Sequence, residues 1–289
     1  MEIKEVQQRI AEIEKLPSSP ELLNEIVKLI RDPASSIRDF EKVIQRDPSI
    51  ATQVMRVANS PYYALSRKIT NLRLALSLLG LDEIYRIALN VSVYRGLRRS
   101  FPTVSFVFNL FWQHSQETAK MGEILATEIY ASKSLDIYVL GLIHDVGKLI
   151  LDQYFSDEWT EVLLQFAQTG EDVTRLEKRI LGITHAEVGG ELLRQWGLPP
   201  DIVSPIIHHH TPFEEEKFRL NAILLYAADK TVAWLTPDEI VHQSTQENLE
   251  KDEIWEQVIN QYPGLDVLKD EQAKAHYTLQ LKNSLSQEI

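Results

Sequence analysis

Gly141-Leu142-Ile143-His144-Asp145-Val146-Gly147-Lys148 sets a histidine beside an aspartate at the end of an apolar run, and the reading of this stretch decides the fold. The residues before it, Leu135 to Ile143, form a mostly apolar helix with Ser134 as its cap. The His-Asp pair therefore stands at the end of a buried helix, and Gly147 is where the chain is expected to turn away. Outward from there, Thr184-His185-Ala186-Glu187 has the spacing of a capping box, threonine followed three residues later by glutamate. It opens a helix whose buried face is Val188, Leu192 and Trp196 and which stops at Gly197-Leu198-Pro199. His185 is held in the first turn of that helix.

The same periodicity extends to both sides. Leu22, Ile26, Val27 and Ile30 recur at helical spacing, as do Leu74, Leu78 and Leu81. Alternating β-branched runs are scarce and the hairpin dipeptide Asn-Gly is missing, so the chain reads as all-α. Pro17 and Pro20 precede the first strong helix, Asp32-Pro33 and Asp47-Pro48 mark later starts, and Asn59-Ser60-Pro61 reads as a loop. A basic helix end at Arg95, Arg98 and Arg99 meets an aromatic-rich stretch near Ser100-Phe101-Pro102. Three parts are expected: residues 1–103, a helical subdomain; 104–235, a second one carrying the chemistry; and 236–289, a polar helical extension with one helix around Glu253 to Tyr262 and a last one to near Ser284.

Net charge is −12, which excludes a global basic field for nucleic acid or anionic lipid. Hydrophobic residues at 44% and charged residues at 25% argue against disorder. The absence of cysteine removes disulfides, thiolate zinc sites and cysteine nucleophiles together. No apolar run approaches the roughly 20 residues of a membrane span, and the charged N-terminus lacks the apolar core of a signal peptide. A cytoplasmic protein, without nucleic-acid or membrane partners, is expected.

Five stretches carry the candidate chemistry: His114 within Trp112 to Ser115; His144 and Asp145; His185; His208, His209 and His210 before Pro212; and Asp229 inside the apolar run Tyr226 to Lys230. Imidazoles and carboxylates suit iron, manganese, zinc and similar divalent ions. An aspartate can bridge two such ions, and a pair so placed activates water and clamps phosphate. A buried carboxylate such as Asp229 needs a cation or strong donors, an ordinary salt bridge being the plainer alternative. Successive residues advance about 100° on a helix, so three adjacent histidines cannot all face one point, and His208 is the one expected to stand apart. With Asp145 and Asp229 as the charged ligands, two divalent ions leave surplus positive charge, to which Lys148 adds. Such a site takes an anion, phosphate first.

At these residues the sequence resembles the HD superfamily and, more closely, the HDOD family of bacterial signalling proteins, over roughly residues 12 to 235. The likeness is carried by Leu16-Pro17 with Pro20, Asp47-Pro48, Val57-Ala58-Asn59-Ser60 with Tyr62-Tyr63, Ile69 to Ala75, and Leu79-Gly80. It continues through Trp112 with His114, the 141–148 stretch, His185 to Gly189, Trp196 to Pro199, and His209-His210 with Pro212. The resemblance implies a two-part helical fold, an HD-type bundle, and a regulatory role exerted on a signalling protein partner. HDOD domains commonly lack the HD catalytic residues, whereas this sequence keeps a near-complete set, similar here to the HD-GYP phosphodiesterases. That likeness implies two divalent ions, one on His114, His144, Asp145 and Asp229, the other on Asp145, His185, His209 and His210. Asp145 and Lys148 are the implied catalytic residues, Lys148 facing phosphate. The alternative to a purely regulatory role is a metal-dependent phosphohydrolase acting on a nucleotide or other phosphate ester. The Gly-Tyr-Pro signature is absent, Thr211-Pro212-Phe213-Glu214 standing after the histidines, so cyclic di-GMP cleavage is not inferred.

Overall fold

The structure is a computed structural model that describes residues 22–63, 67–101, 108–130, 135–236, 252–265 and 270–285. Pro17, Pro20, Pro102 and Ser134, used above as punctuation, lie outside them. The described residues are helical and include no strand. They fall into two compact units, one between Ser18 and Ser100 and one between Phe101 and Leu281.

The first unit holds α1 (Leu23–Arg31), α2 (Ile37–Gln45), α3 (Pro48–Ala58), α4 (Leu72–Leu79) and α5 (Leu81–Ser100). Its helix starts follow local chemistry. Asp47 accepts the Ser49 N–H at 2.8 Å with Pro48 in the first turn, and Asn71 accepts the Leu74 N–H at 3.1 Å. Asp32-Pro33 closes α1 instead of opening α2, which is capped by Ser36, whose N–H and hydroxyl both donate to Asp39. The stripe Leu74, Leu78, Leu81 is not core: these side chains are exposed, and α4 buries Ala75 and Leu76 instead. An eight-residue helix that is apolar on both sides gives periodicity nothing to choose between.

The second unit comprises α6 (Phe108–Tyr130), α7 (Leu135–Ile143), α8 (Val146–Tyr154), α9 (Ser156–Thr169), α10 (Val173–Ile180), α11 (His185–Gln195), α12 (Pro200–Ile207), α13 (Arg219–Leu235), α14 (Glu253–Gln261) and most of α15 (Glu271–Leu285). Helix α6 packs on α7 and α13, α8 packs on α11, and α11 on α12. Two glycines allow these approaches. A Cβ on Gly141 would lie 2.5 Å from the Ala119 backbone, so α7 rests directly on the main chain of α6. A Cβ on Gly147 would lie 1.9 Å from the His185 carbonyl oxygen, so only glycine fits where α8 meets the start of α11. Gly147 is thus not the turn it was expected to be. It is the second residue of α8, and His144-Asp145 makes the turn.

Candidate metal centre

The ends of four helices and the flank of two others deliver the polar side chains to one buried place. The Thr184 capping box forms as the spacing predicts: Glu187 Oε2 accepts the Thr184 N–H at 2.8 Å, and the Thr184 hydroxyl accepts the Glu187 N–H at 3.3 Å. This fixes His185 as the first residue of α11. His144 is the residue after α7, and Asp145 is the cap position of α8. Helix α12 ends at Ile207, so the three histidines follow it in a turn and do not continue the helix. His208 occupies the cap position, half-buried and outside the candidate ligand groups, while His209 and His210 turn inward. Glu215 holds the loop beyond them by accepting the Lys217 and Phe218 N–H groups, each at 2.9 Å, and the Ser204 hydroxyl of α12. His114 comes from the middle of α6 and Asp229 from the middle of α13.

Two knots of ligand atoms result, with Asp145 between them. On one side His114 Nε2 lies 3.0 Å from Asp229 Oδ1 and 3.7 Å from Asp145 Oδ2. His144 Nε2 lies 3.3 Å from Asp145 Oδ2 and 3.7 Å from Asp229 Oδ1. On the other side Asp145 Oδ1 lies 3.2 Å from His185 Nε2 and 3.8 Å from His209 Nε2, and His185 Nε2 is 3.0 Å from His210 Nε2. His114, His144 and Asp229 could share one cation; His185, His209 and His210 another; and His144, Asp145 and His209 form a third grouping between them. Lys148 Nζ, one turn along α8, is 2.5 Å from Asp145 Oδ2.

The outer nitrogens decide what the inner ones offer. His144 Nδ1 donates to the Gly141 carbonyl at 2.8 Å, and His209 Nδ1 to the Ile206 carbonyl at 2.6 Å. His185 Nδ1 donates to the Glu177 carboxylate at 2.7 Å. Each of these acceptors requires a proton on Nδ1, so the neutral ring presents a bare Nε2 lone pair to the pocket. Those lone pairs converge on carboxylate oxygens, and His144 Nε2, His209 Nε2 and Asp145 Oδ1 are buried without closing a hydrogen bond. Lone pairs facing lone pairs in a dry interior require something positive between them, and the donor set fits divalent cations.

Protons are the other candidate for that role. Burial works against charge on His144, but Asp145 and then Asp229 outweigh it and push the imidazole up to about 10. His185 is likewise opposed by burial and raised, chiefly by Glu177, to about 9. Burial together with the neighbouring charges of His144 and His185 pushes His209 down to about 3, and burial with His209 and His185 holds His210 well below its usual value. Burial opposes ionisation of Asp145 and Asp229, yet both stay well below the carboxylate range, Asp145 through His144 and Lys148, Asp229 through His114 and His144. Three carboxylates, counting Glu177, then balance Lys148 and two imidazolium ions. Two divalent cations in place of the two protons would leave a surplus of two positive charges, enough to draw in a doubly charged anion.

Every ligand position singled out in the sequence falls in this cluster, and Lys148 lies against it. Glu177 was missed. It sits among Arg175, Lys178 and Arg179 on a helix that reads as a solvated face, yet its side chain is fully buried. It accepts both the ring Nδ1–H and the backbone N–H of His185. No spacing rule connects it to a histidine eight residues away across a helix end.

A family model described as the HDOD domain matches residues 16–212. An HDOD domain protein of unknown function from Geobacter sulfurreducens has a similar structure, with TM-score 0.76 at 21% identity, covering 98% of this chain and 94% of that one. A presumed phosphohydrolase from Shewanella amazonensis gives TM-score 0.65 at 22% identity, covering 96% and 97%. Among curated proteins, an uncharacterized protein of Treponema pallidum is 21% identical over 240 residues, 80% of this chain and 45% of its own. Ribonuclease Y of Thermus thermophilus is 27% identical over 154 residues, 53% of this chain and 21% of its own. The chain thus spans less than half the length of these curated relatives.

Proposed function

The chain belongs to the HDOD domain family, and from that premise we propose that it is a bacterial signal-transduction protein whose HD half holds two divalent cations and binds a phosphate-containing ligand. One observation carries the reading: buried imidazole Nε2 atoms from three helix ends converge on the two oxygens of one buried aspartate, so that something positive, a proton or a cation, must stand between them. His114, His144 and Asp229 would hold one cation, His185, His209 and His210 the other, with Asp145 between. When bound, the cations supply Lewis acidity toward water and phosphate oxygens. The protein's own residues do the rest. Glu177 fixes the His185 tautomer, the Gly141 and Ile206 carbonyls fix those of His144 and His209, and burial excludes bulk water. Lys148, which is 2.5 Å from Asp145, would be released toward a phosphate oxygen once a cation takes over its partner.

A second reading, a metal-dependent phosphohydrolase, is favoured by Lys148 and by the positive surplus a loaded site would carry. The likeness to ribonuclease Y supports including a short phosphodiester among the substrates tried. The net charge of −12 speaks against a long nucleic acid. Elemental analysis of untagged protein tests the common core, with about two equivalents of transition metal expected; less than about half an equivalent would sink it. Hydrolysis of a monoester, dinucleotide or nucleotide panel, abolished in Asp145→Asn, selects the enzyme. Ligand binding without turnover, in a protein that retains a signalling partner, selects the regulator.

A further inference from the structure

Beyond the ligand cluster, α13 carries a second set of contacts on a neighbouring face. Tyr226 and Lys230, one turn apart, flank Asp229 in sequence and face the start of α14. Lys230 Nζ is 3.0 Å from Asp252 Oδ2, with both side chains only 18% exposed, and 5.5 Å from the Tyr226 ring centroid. The Tyr226 ring packs near Trp255 at 6.3 Å between centroids, and both side chains are buried. Asp252 also caps α14, its Oδ1 accepting the Ile254 and Trp255 N–H groups at 3.0 and 3.2 Å. One carboxylate therefore ties the cation that follows Asp229 to a helix that supplies no ligand.

Lys230 is the residue after Asp229, a candidate ligand, on the same helix. An unbalanced positive charge one residue from a ligand repels cations. Asp252 neutralises it across a 3.0 Å ion pair.

We propose that Asp252 is a positioning residue for the metal site: by holding Lys230, the cap of α14 sets how strongly the Asp229 side retains its cation, so that α14 controls metal occupancy there. This rests on the two-cation reading given above. Displacement of α14, by a partner or another segment, would then release Lys230 and weaken the hold on the cation beside Asp229.

Titration calorimetry with Mn2+ on the full chain separates the outcomes. Asn caps a helix as well as Asp does, so Asp252→Asn removes the charge and keeps the cap. The wild-type protein binds two Mn2+; Asp252→Asn loses roughly tenfold in affinity for one of them and leaves the other unchanged. Adding Lys230→Met to Asp252→Asn restores the loss, because the stranded charge is gone. A double variant as weak as Asp252→Asn alone, or an Asp252→Asn protein that binds like wild type, overturns the control by α14 while leaving the metal site standing. Wild-type protein that takes up no Mn2+ overturns the site itself and this inference with it.

Discussion

Glu177 shows what a single side chain contributes here. It touches no candidate cation, yet it fixes the proton on His185 Nδ1 and so aims the opposite nitrogen inward. Glu177→Gln keeps the shape and weakens the anionic acceptor; we expect a 10- to 100-fold loss of metal affinity with little change in helix content, read by calorimetry and circular dichroism. Unchanged affinity would reduce Glu177 to a packing residue. The site's titrations set a pH profile with two limbs. His144 and His185, raised to about 10 and 9, stabilise the chelated protein fully below the ordinary histidine value of 6.5, and this contribution is lost as pH rises through 9 and 10. His209 and His210 are lowered, so their unfolded forms take protons first as pH falls below 6.5, and stability drops on that side too. Thermal melts in chelator should therefore peak near pH 6.5. Bound cations replace the protons and should move the maximum upward; a chelated protein most stable at pH 9 would contradict the assignment. The histidines and aspartates of this site were readable from residue type and order. Glu177 was not, because burial of one acid among charged neighbours is decided by the packing of α10 and not by local composition.

Helix ends were legible at some side-chain caps, while the Ser36 and Asp39 box that opens α2 was passed over for Asp32-Pro33. Thr184 and Glu187 announced the start of α11, and Asp47-Pro48 that of α3. Gly147 was misread because a glycine after a helix end suggests a turn, whereas its function here is the close approach of α8 to the His185 carbonyl. Gly147→Ala should cost about 1–3 kcal/mol or more, since the obstacle is backbone and cannot rotate aside. It should also weaken metal binding by displacing His185; a melt unchanged from wild type would show that α8 and α11 slide freely. For α4 the spacing of Leu74, Leu78 and Leu81 marked a helix but did not tell which face is buried. Leu76→Ala should cost about 2–5 kcal/mol and Leu74→Ala no more than about 0.5 kcal/mol. Denaturant unfolding of the two variants checks which face is core, and equal losses would restore the stripe.

At the scale of the molecule, the all-helical class followed from periodicity and missing hairpin signals, and the described residues are helical throughout their regular elements. None of the described helices is long and apolar enough to cross a membrane. Both candidate cations belong to the unit between Phe101 and Leu281. Metal at 100 times its dissociation constant should stabilise the folded protein by about 2.7 kcal/mol per site. Hydrogen exchange should register the gain in α6 to α8 and α11 to α13 and leave α1 to α5 unchanged. Protection spread evenly over both units would mean that the cations bind elsewhere. How α14 engages Lys230 could not be read beforehand, since an aspartate that caps one helix gives no sign of the lysine it meets on another.

The ligands arrive in a fixed order during synthesis. His114 is made early, and Asp229, which completes the first knot, comes after every other contributor, on α13. Until α13 has left the ribosome, the nascent chain displays His114 and His144 with Asp145 as the one carboxylate on that side, and Asp229 is still missing. If the site takes up two cations, the one beside Asp229 can be held in full only after α13 is made, and a ribosome stalled before α13 would release a polypeptide able to form the His185, His209 and His210 group but not the His114, His144 and Asp229 one.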